Sequence, residues 1–545
     1  MFTLHAHSTF SLLTGTIPYE RIIELAKENG SKYAALTDTN RMNGLIQFAK
    51  LAEEEGIKPI LGTELIDPKN ETHSLIILAK NNKGYSTLCK IITARNLKES
   101  FTLSTLLKED LSDLFIISSS IEFIKANLEK IAELPNFYTE LIITEKLKSK
   151  TRKLYDLSKK HNLKIVASHP LYFEKQEDFI LHKTVSAIRL NSTVENIDKS
   201  KLVDEEFYFK SPKELDEIWK KLPEALQNVQ YIADNCKVNL KFGVYKYPKF
   251  DLPEGETSYS LLWKLAFEGL KEKYNPIPDI AIKRLNKEME IINRANFNDY
   301  FLIVWDILQE AKRRGIIHVG RGSAGGSLVS YCLGISQADP IKYNLYFERF
   351  LNNERKDPPD IDLDFSWKER DEIVKYVFEK YGYSHVAMIS TTVTFRARSA
   401  LRETAKAFGI SEYEISKYSE FIPWSSAKNL ATLYKEFPES KSLDFSDEPW
   451  KSIVEIASKL AGFPRHISIH PSGILITPKP ITNYVALEYA KNKGLGLIIT
   501  QPDMYPIEYM GLIKIDLLSQ RALGVVRDTI EAIYDDEDEE VKSEM

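Results

Sequence analysis

Cysteine is nearly absent from this chain. There are three in 545 residues, Cys89, Cys236 and Cys332. They stand singly, with neither metal-site spacing nor an even set for a disulfide framework. A reducing compartment fits, and the expected location is cytoplasmic. Long apolar runs are missing too. No stretch approaches the roughly 20 residues that span a bilayer, so no membrane partner is expected. The start, Met1-Phe2-Thr3-Leu4-His5, lacks the basic segment and apolar core of a secretory leader. A dominant charge is also lacking. The formal net charge is −5, and the run 535–540 is acidic at every position, so the remainder is close to neutral. Net charge therefore does not advertise a nucleic-acid partner, and local distribution has to decide.

What is present is a soluble, globular composition, 43% hydrophobic and 28% charged, long enough for three or four domains. The N-terminal third alternates helix and strand patterns. Helices are expected at 18–29, 43–55 and 85–95, and strands at 33–37, 59–65 and 74–79. Repeated βα units argue for parallel strands, closed into a barrel-like sheet. Polar residues gather where barrel sites lie. They are His5, His7, Asp38, Glu64 and His73. Further on, 279–294, 300–314, 397–407 and 453–460 read as helices.

The most informative segment is Pro358-Pro359-Asp360-Ile361-Asp362-Leu363-Asp364-Phe365. On a β-strand its acids share one face and its apolar residues the other. The apolar face wants a core. The acidic face needs cations, and magnesium is the natural candidate, although a solvated acidic edge would read the same way. Upstream lies His318-Val319-Gly320-Arg321-Gly322-Ser323-Ala324-Gly325-Gly326-Ser327. Its glycines and the helix start after it suit an anion, and Arg321 adds a fork for phosphate oxygens. There is no Lys-Ser/Thr ending, so it is not the P-loop of ATPases. A phosphate cradle followed by an acidic strand asks for a phosphorylated substrate and in-line displacement with two metals.

These motifs resemble the palm of the bacterial DNA polymerase III alpha subunit, the family C polymerases. So do Asp299-Tyr300-Phe301-Leu302-Ile303-Val304-Trp305-Asp306, Phe347-Glu348-Arg349-Phe350-Leu351-Asn352, Arg465-His466-Ile467-Ser468-Ile469-His470-Pro471-Ser472-Gly473 and Gly511-Leu512-Ile513-Lys514-Ile515-Asp516. The resemblance runs from residue 1 to about residue 530. It implies a DNA-directed DNA polymerase that joins a dNTP to a primer 3′-hydroxyl on a DNA template. Asp360, Asp362 and Asp516 would be the catalytic, magnesium-binding acids for two ions, with Asp364 a neighbour. Gly320, Arg321, Gly322, Ser323, Arg349, Arg355 and Lys514 would face nucleotide phosphates. Arg349 is expected in a partly buried setting, between Phe347, Phe350 and Leu351.

The front of the chain resembles the PHP domain, a metal-dependent phosphoesterase module. His5-Ala6-His7-Ser8 matches its opening motif, and Glu64 and His73 match ligand positions. Thr14, Thr39, Pro170 and Tyr172 stand where the family usually has carboxylate or imidazole ligands. A metal at this degenerate site is therefore not expected. The implied architecture is multi-domain α/β. A PHP domain spans 1–230, a palm with a mixed sheet 231–392 and 472–521, an inserted helical thumb 393–471 and an acidic tail 522–545. Arg396, Arg398, Arg402 and Lys406 would form a basic stripe for DNA phosphates. His466 and His470 read as structural or DNA-proximal. Family members continue into fingers and a sliding-clamp contact, so a separate polypeptide carrying these is an expected partner, with the clamp and a proofreading exonuclease reached indirectly. The alternatives are a PHP-type phosphoesterase, or a non-catalytic remnant or scaffold of a polymerase.

Overall fold

The structure, a computed structural model, describes residues 2–352, 361–490 and 497–534. Two sheets organise it. The first contains β1 (Tyr33–Leu36), β2 (Lys58–Ile66), β3 (Ser74–Ala79), β4 (Leu114–Ser118), β5 (Phe137–Ile142) and β6 (Lys164–Ser168), side by side in that order. Here one sequence expectation is corrected. β1 and β2 are parallel, as are β4, β5 and β6, but β3 runs antiparallel to both of its neighbours. The connection 67–73 holds no helix, and a chain reversing without a crossover can only pair antiparallel. The N-terminal segment closes the curl. His5 O accepts from Leu171 N and His7 N donates to Leu171 O, beyond β6, while Ala6 O accepts from Thr37 N, beyond β1.

The second sheet contains β7 (His318–Arg321), β8 (Asp362–Ser366), β9 (Val386–Thr394), β10 (Pro464–Ile476), β11 (Leu487–Tyr489), β12 (Ile498–Asp503) and β13 (Lys514–Gln520), in the order β11-β12-β9-β10-β13-β8-β7. It is mixed: β13 is parallel to β8 and antiparallel to β10. The helices Asp279–Arg294 and Asn298–Arg313 pack their apolar faces into the core beneath it, against Leu363, Phe365, Ile515 and Leu517.

Between β9 and β10 lies a helical insertion that includes Ala397–Ala407, Glu412–Ser419 and Trp450–Lys459, with Leu401, Ile415 and Ile453 in its core. These parts share packing. Leu181 and Val185, from the helix Phe179–Leu190 of the N-terminal unit, are buried in the insertion's core. Ala387, Leu475, Met510 and Leu512 from the second sheet's region belong to the first sheet's core. Among the described residues no helix is long and apolar enough to cross a membrane.

Candidate active site

Along β8 the side chains alternate between faces, with Asp362 half-buried and Asp364 buried. Ile361, Leu363 and Phe365 are fully buried, leaving Asp362 and Asp364 to the other face. On β13, Ile515 and Leu517 join the same core, and Lys514 and Asp516 take the acidic face. The parallel register sets Asp516 directly beside Asp362. Neighbouring strands lie about 4.8 Å apart, so the two carboxylates flank one inter-strand gap. Asp360 and Arg355 lie outside the described residues.

β10 supports this arrangement from the other side, with Gly473 opposite Asp516. The Ser472 hydroxyl donates to Asp516 Oδ1 at 2.8 Å, and Lys514 Nζ pairs with Oδ2. His470 holds that turn: its Nδ1 accepts from the amides of Gly473 at 2.8 Å and Ser472 at 3.3 Å. Burial lowers the His470 pKa against the pull of Asp516, which keeps this lone pair available. His466 lies farther out on the same strand, half-buried.

β7 pairs antiparallel with β8 and brings Arg321 opposite Asp362. Arg321 Nε lies 3.3 Å from Asp364 Oδ1 and 4.0 Å from Asp362 Oδ2. Gly322 follows at φ +77°, where a Cβ would be strained and would sit 3.7 Å from Asp362 Oδ2. Gly320 is glycine for packing, since a Cβ there would meet Ile335 O at 1.8 Å. Ser323 is half-buried in the 3₁₀ turn Gly322–Gly326.

The structure corrects two expectations here. The helix start after the turn is not open to an anion. Glu288, fully buried, already takes the Ser327 hydroxyl at 2.8 Å and the Val329 amide at 3.1 Å. Arg349 is exposed, whereas Phe347, Phe350 and Leu351 around it are buried, because the turn Phe347–Arg349 sends its aromatic anchors inward and its charges outward.

In the first sheet, His5, His7 and Glu64 bring three ligand atoms within 4.8 Å of one another. His5 Nδ1 meets Glu140 Oε1 at 2.8 Å. Burial opposes a charged ring there, but Glu140 outweighs it and raises the His5 pKa. His7 stacks on Tyr172, with ring centroids 4.0 Å apart, and burial holds its pKa well below the usual value. Its Nδ1 meets the hydroxyls of Ser11 at 3.0 Å and Thr39 at 3.2 Å. Nε2 of both histidines is buried without a hydrogen-bond partner among the described residues.

Asp38 is not with them. It is spent on the Ser8 amide at 2.7 Å and the hydroxyls of Ser8 at 2.8 Å and Ser11 at 2.6 Å. His73 also stands apart, with Nε2 3.2 Å from Asn70 Nδ2 and its ring edge-on to Phe123. Thr39, in place of a ligand, donates to Glu64 Oε2 at 3.0 Å. Two imidazoles and one carboxylate fit a single zinc-class ion and fall short of a multinuclear shell. Sequence reading missed Glu140, whose one signal is a lone acid in the apolar strand β5. In front of the cluster lies a cleft of about 1140 Å³, lined by Glu64, Tyr172, Arg41, Arg95 and Arg465 among others.

The residues of the expected basic stripe on Ala397–Ala407 have partners inside the insertion. Arg398 donates to Ile422 O at 3.1 and 2.6 Å, Arg402 pairs with Glu412, and Lys406 Nζ is 3.3 Å from the same carboxylate. Arg398 and Lys406 remain exposed while making these contacts. Arg396 is exposed and stacks over Trp424, 5.4 Å from the ring centroid.

Sequence comparison agrees with this geometry. Residues 3–178 match the PHP domain, and residues 260–519 match the bacterial DNA polymerase III alpha NTPase domain. The error-prone DNA polymerase of Symbiobacterium thermophilum is 32% identical, over 99% of this chain and 53% of its own length. The DNA polymerase III subunits alpha of Halalkalibacterium halodurans and Bacillus subtilis are 34% and 32% identical, over 97% and 98% of this chain and 49% of each relative. The chain thus joins a PHP domain to a polymerase-type NTPase domain. It belongs to the bacterial DNA polymerase III alpha family, of which it represents an N-terminal portion, and it spans about half the length of the curated relatives it matches.

Proposed function

We propose that this chain is the catalytic-core half of a DNA-directed DNA polymerase. The primer 3′-hydroxyl oxygen bonds to the α-phosphorus of a dNTP, and the bond to pyrophosphate breaks. The observation that carries the reading is the in-register placement of Asp362 and Asp516 on adjacent strands, beside the glycine turn. The all-oxygen donor set of Asp362, Asp516 and Asp360 suits hard cations. These residues would hold two magnesium ions, which when bound make the primer hydroxyl more acidic and offset charge at the phosphates. Ser472 and Lys514 keep the Asp516 carboxylate oriented. Arg321, Ser323, Arg349 and Arg355 bind and orient the triphosphate, and Lys514 adds positive charge beside it.

A steady-state primer-extension assay on the purified chain tests this reading. Magnesium-dependent addition of a nucleotide to the primer 3′-end is expected, and no incorporation at any dNTP concentration would overturn the reading. The unpartnered Nε2 atoms of His5 and His7 favour a second reading for the N-terminal unit, in which it holds one transition-metal ion in a structural role. Elemental analysis of the purified protein is expected to find no more than one such ion, lost in His7→Ala. Two or three ions would favour phosphoesterase activity instead.

A further inference from the structure

Behind the glycine turn lies an ion pair that the reaction above does not use, between buried Glu288 and half-buried Arg284. Arg284 and Glu288 sit four residues apart on the helix Asp279–Arg294, so they share one face. Glu288 Oε1 takes Arg284 Nε at 2.6 Å, and Oε2 takes Ser327 Oγ and Val329 N. Arg284 Nη2 then reaches past the carboxylate to two carbonyls, Gly326 O at 2.8 Å and Leu345 O at 3.0 Å. Next along, Lys287 Nζ meets Glu348 Oε1 at 2.5 Å. One helix thus ties down both the end of the glycine turn and the chain entering the turn Phe347–Arg349.

A cap alone does not explain the pair. Ser327 already caps the following helix by accepting from Ser330 N at 3.1 Å. Burying a carboxylate is costly unless it is fully paired, so a neutral cap would be the cheaper solution. What the charged pair adds is a rigid fork spanning two loops, which an arginine can make and a lysine cannot. Ser323 stands at one end of this frame and Arg349 at the other.

We propose that Arg284 and Glu288 are positioning residues that set the spacing between Ser323 and Arg349, and so the fit of the nucleotide triphosphate. This rests on the polymerase reading. The acids on β8 and β13 are carried by other elements, so disturbing the pair displaces the phosphate contacts and leaves those carboxylates in place.

The test titrates the full chain with a fluorescent dNTP analogue, using calcium as a non-reactive cation. Primer–template binding and thermal melting are measured alongside. In Glu288→Gln and Arg284→Met, dNTP affinity is expected to fall about tenfold, as for loss of one charge-assisted contact, with DNA affinity held within about twofold. Arg284→Lys should recover only part of the loss. Lower melting temperature with unchanged dNTP affinity would make the pair merely structural and overturn the proposal. Equal losses for dNTP and DNA would overturn it as well. A wild-type chain that binds no dNTP would instead sink the polymerase reading on which the proposal stands.

Discussion

At the scale of single residues, the candidate site depends on carboxylates that a strand and its neighbour hold together. Asp362 is partly exposed and its strand is anchored by Ile361, Leu363 and Phe365, so its charge contributes little to folding. Asp362→Asn should therefore lower nucleotide incorporation roughly a thousandfold or more, the scale of lost metal-borne charge stabilisation, with an unchanged melting temperature. Incorporation at the wild-type rate would assign the acids a passenger role. The acids themselves were legible in the sequence, because period-two alternation is a local pattern. Their supports were not. Ser472 reaches Asp516 from 44 positions away, and elsewhere Glu140 reaches His5 from 135 and Glu288 reaches Ser327 from 39.

At the scale of elements, two predictions concern the helical insertion and a third the helix that packs against it. Arg398 ties Ala397–Ala407 to the loop at Ile422, so Arg398→Ala should cost about 1.5–3 kcal/mol, measured by chemical denaturation. Arg396→Ala should leave stability within about 0.5 kcal/mol and lower the salt dependence of DNA binding by about one unit of slope. The reverse outcome would restore the basic stripe. The helix Phe179–Leu190 carries the third prediction. His182 donates from Nδ1 to Thr14 O at 2.8 Å and accepts at Nε2 from Val203 N, and burial brings its pKa to about 4. The folded ring is neutral where the unfolded ring would gain a proton. Its stability contribution is present above about pH 6.5 and is lost as pH falls toward 4. Between pH 7 and pH 5 the stability gap between wild type and His182→Gln should narrow by about 2 kcal/mol in denaturation curves. A constant gap would mean that the ring titrates normally.

At the scale of the whole molecule, the shared cores matter most. Met510 and Leu512 come from the second sheet's side yet pack into the first sheet's core, and Leu181 and Val185 cross into the insertion. Leu512→Ala should cost about 2–5 kcal/mol and lower the melting of both sheets together, in one calorimetric transition. Two separate transitions, one of them unmoved, would show that the units fold independently. In this packing the N-terminal unit serves as a foundation for the rest of the chain.

The sequence by itself determined the local elements and the family. Strand 74–79 and the helices Asp279–Arg294 and Ala397–Ala407 follow from periodicity within each segment, and the acids of β8 follow from alternation. Only the tertiary structure decided which charges are already spent. Glu288 closes a helix start that looked open, Glu412 and Ile422 O occupy three cations of an expected DNA stripe, and Asp38 leaves the histidine cluster for two serines. The reason is physical. A pattern along the chain fixes which face a side chain takes, but a buried charge takes its partner from whatever the fold brings within reach.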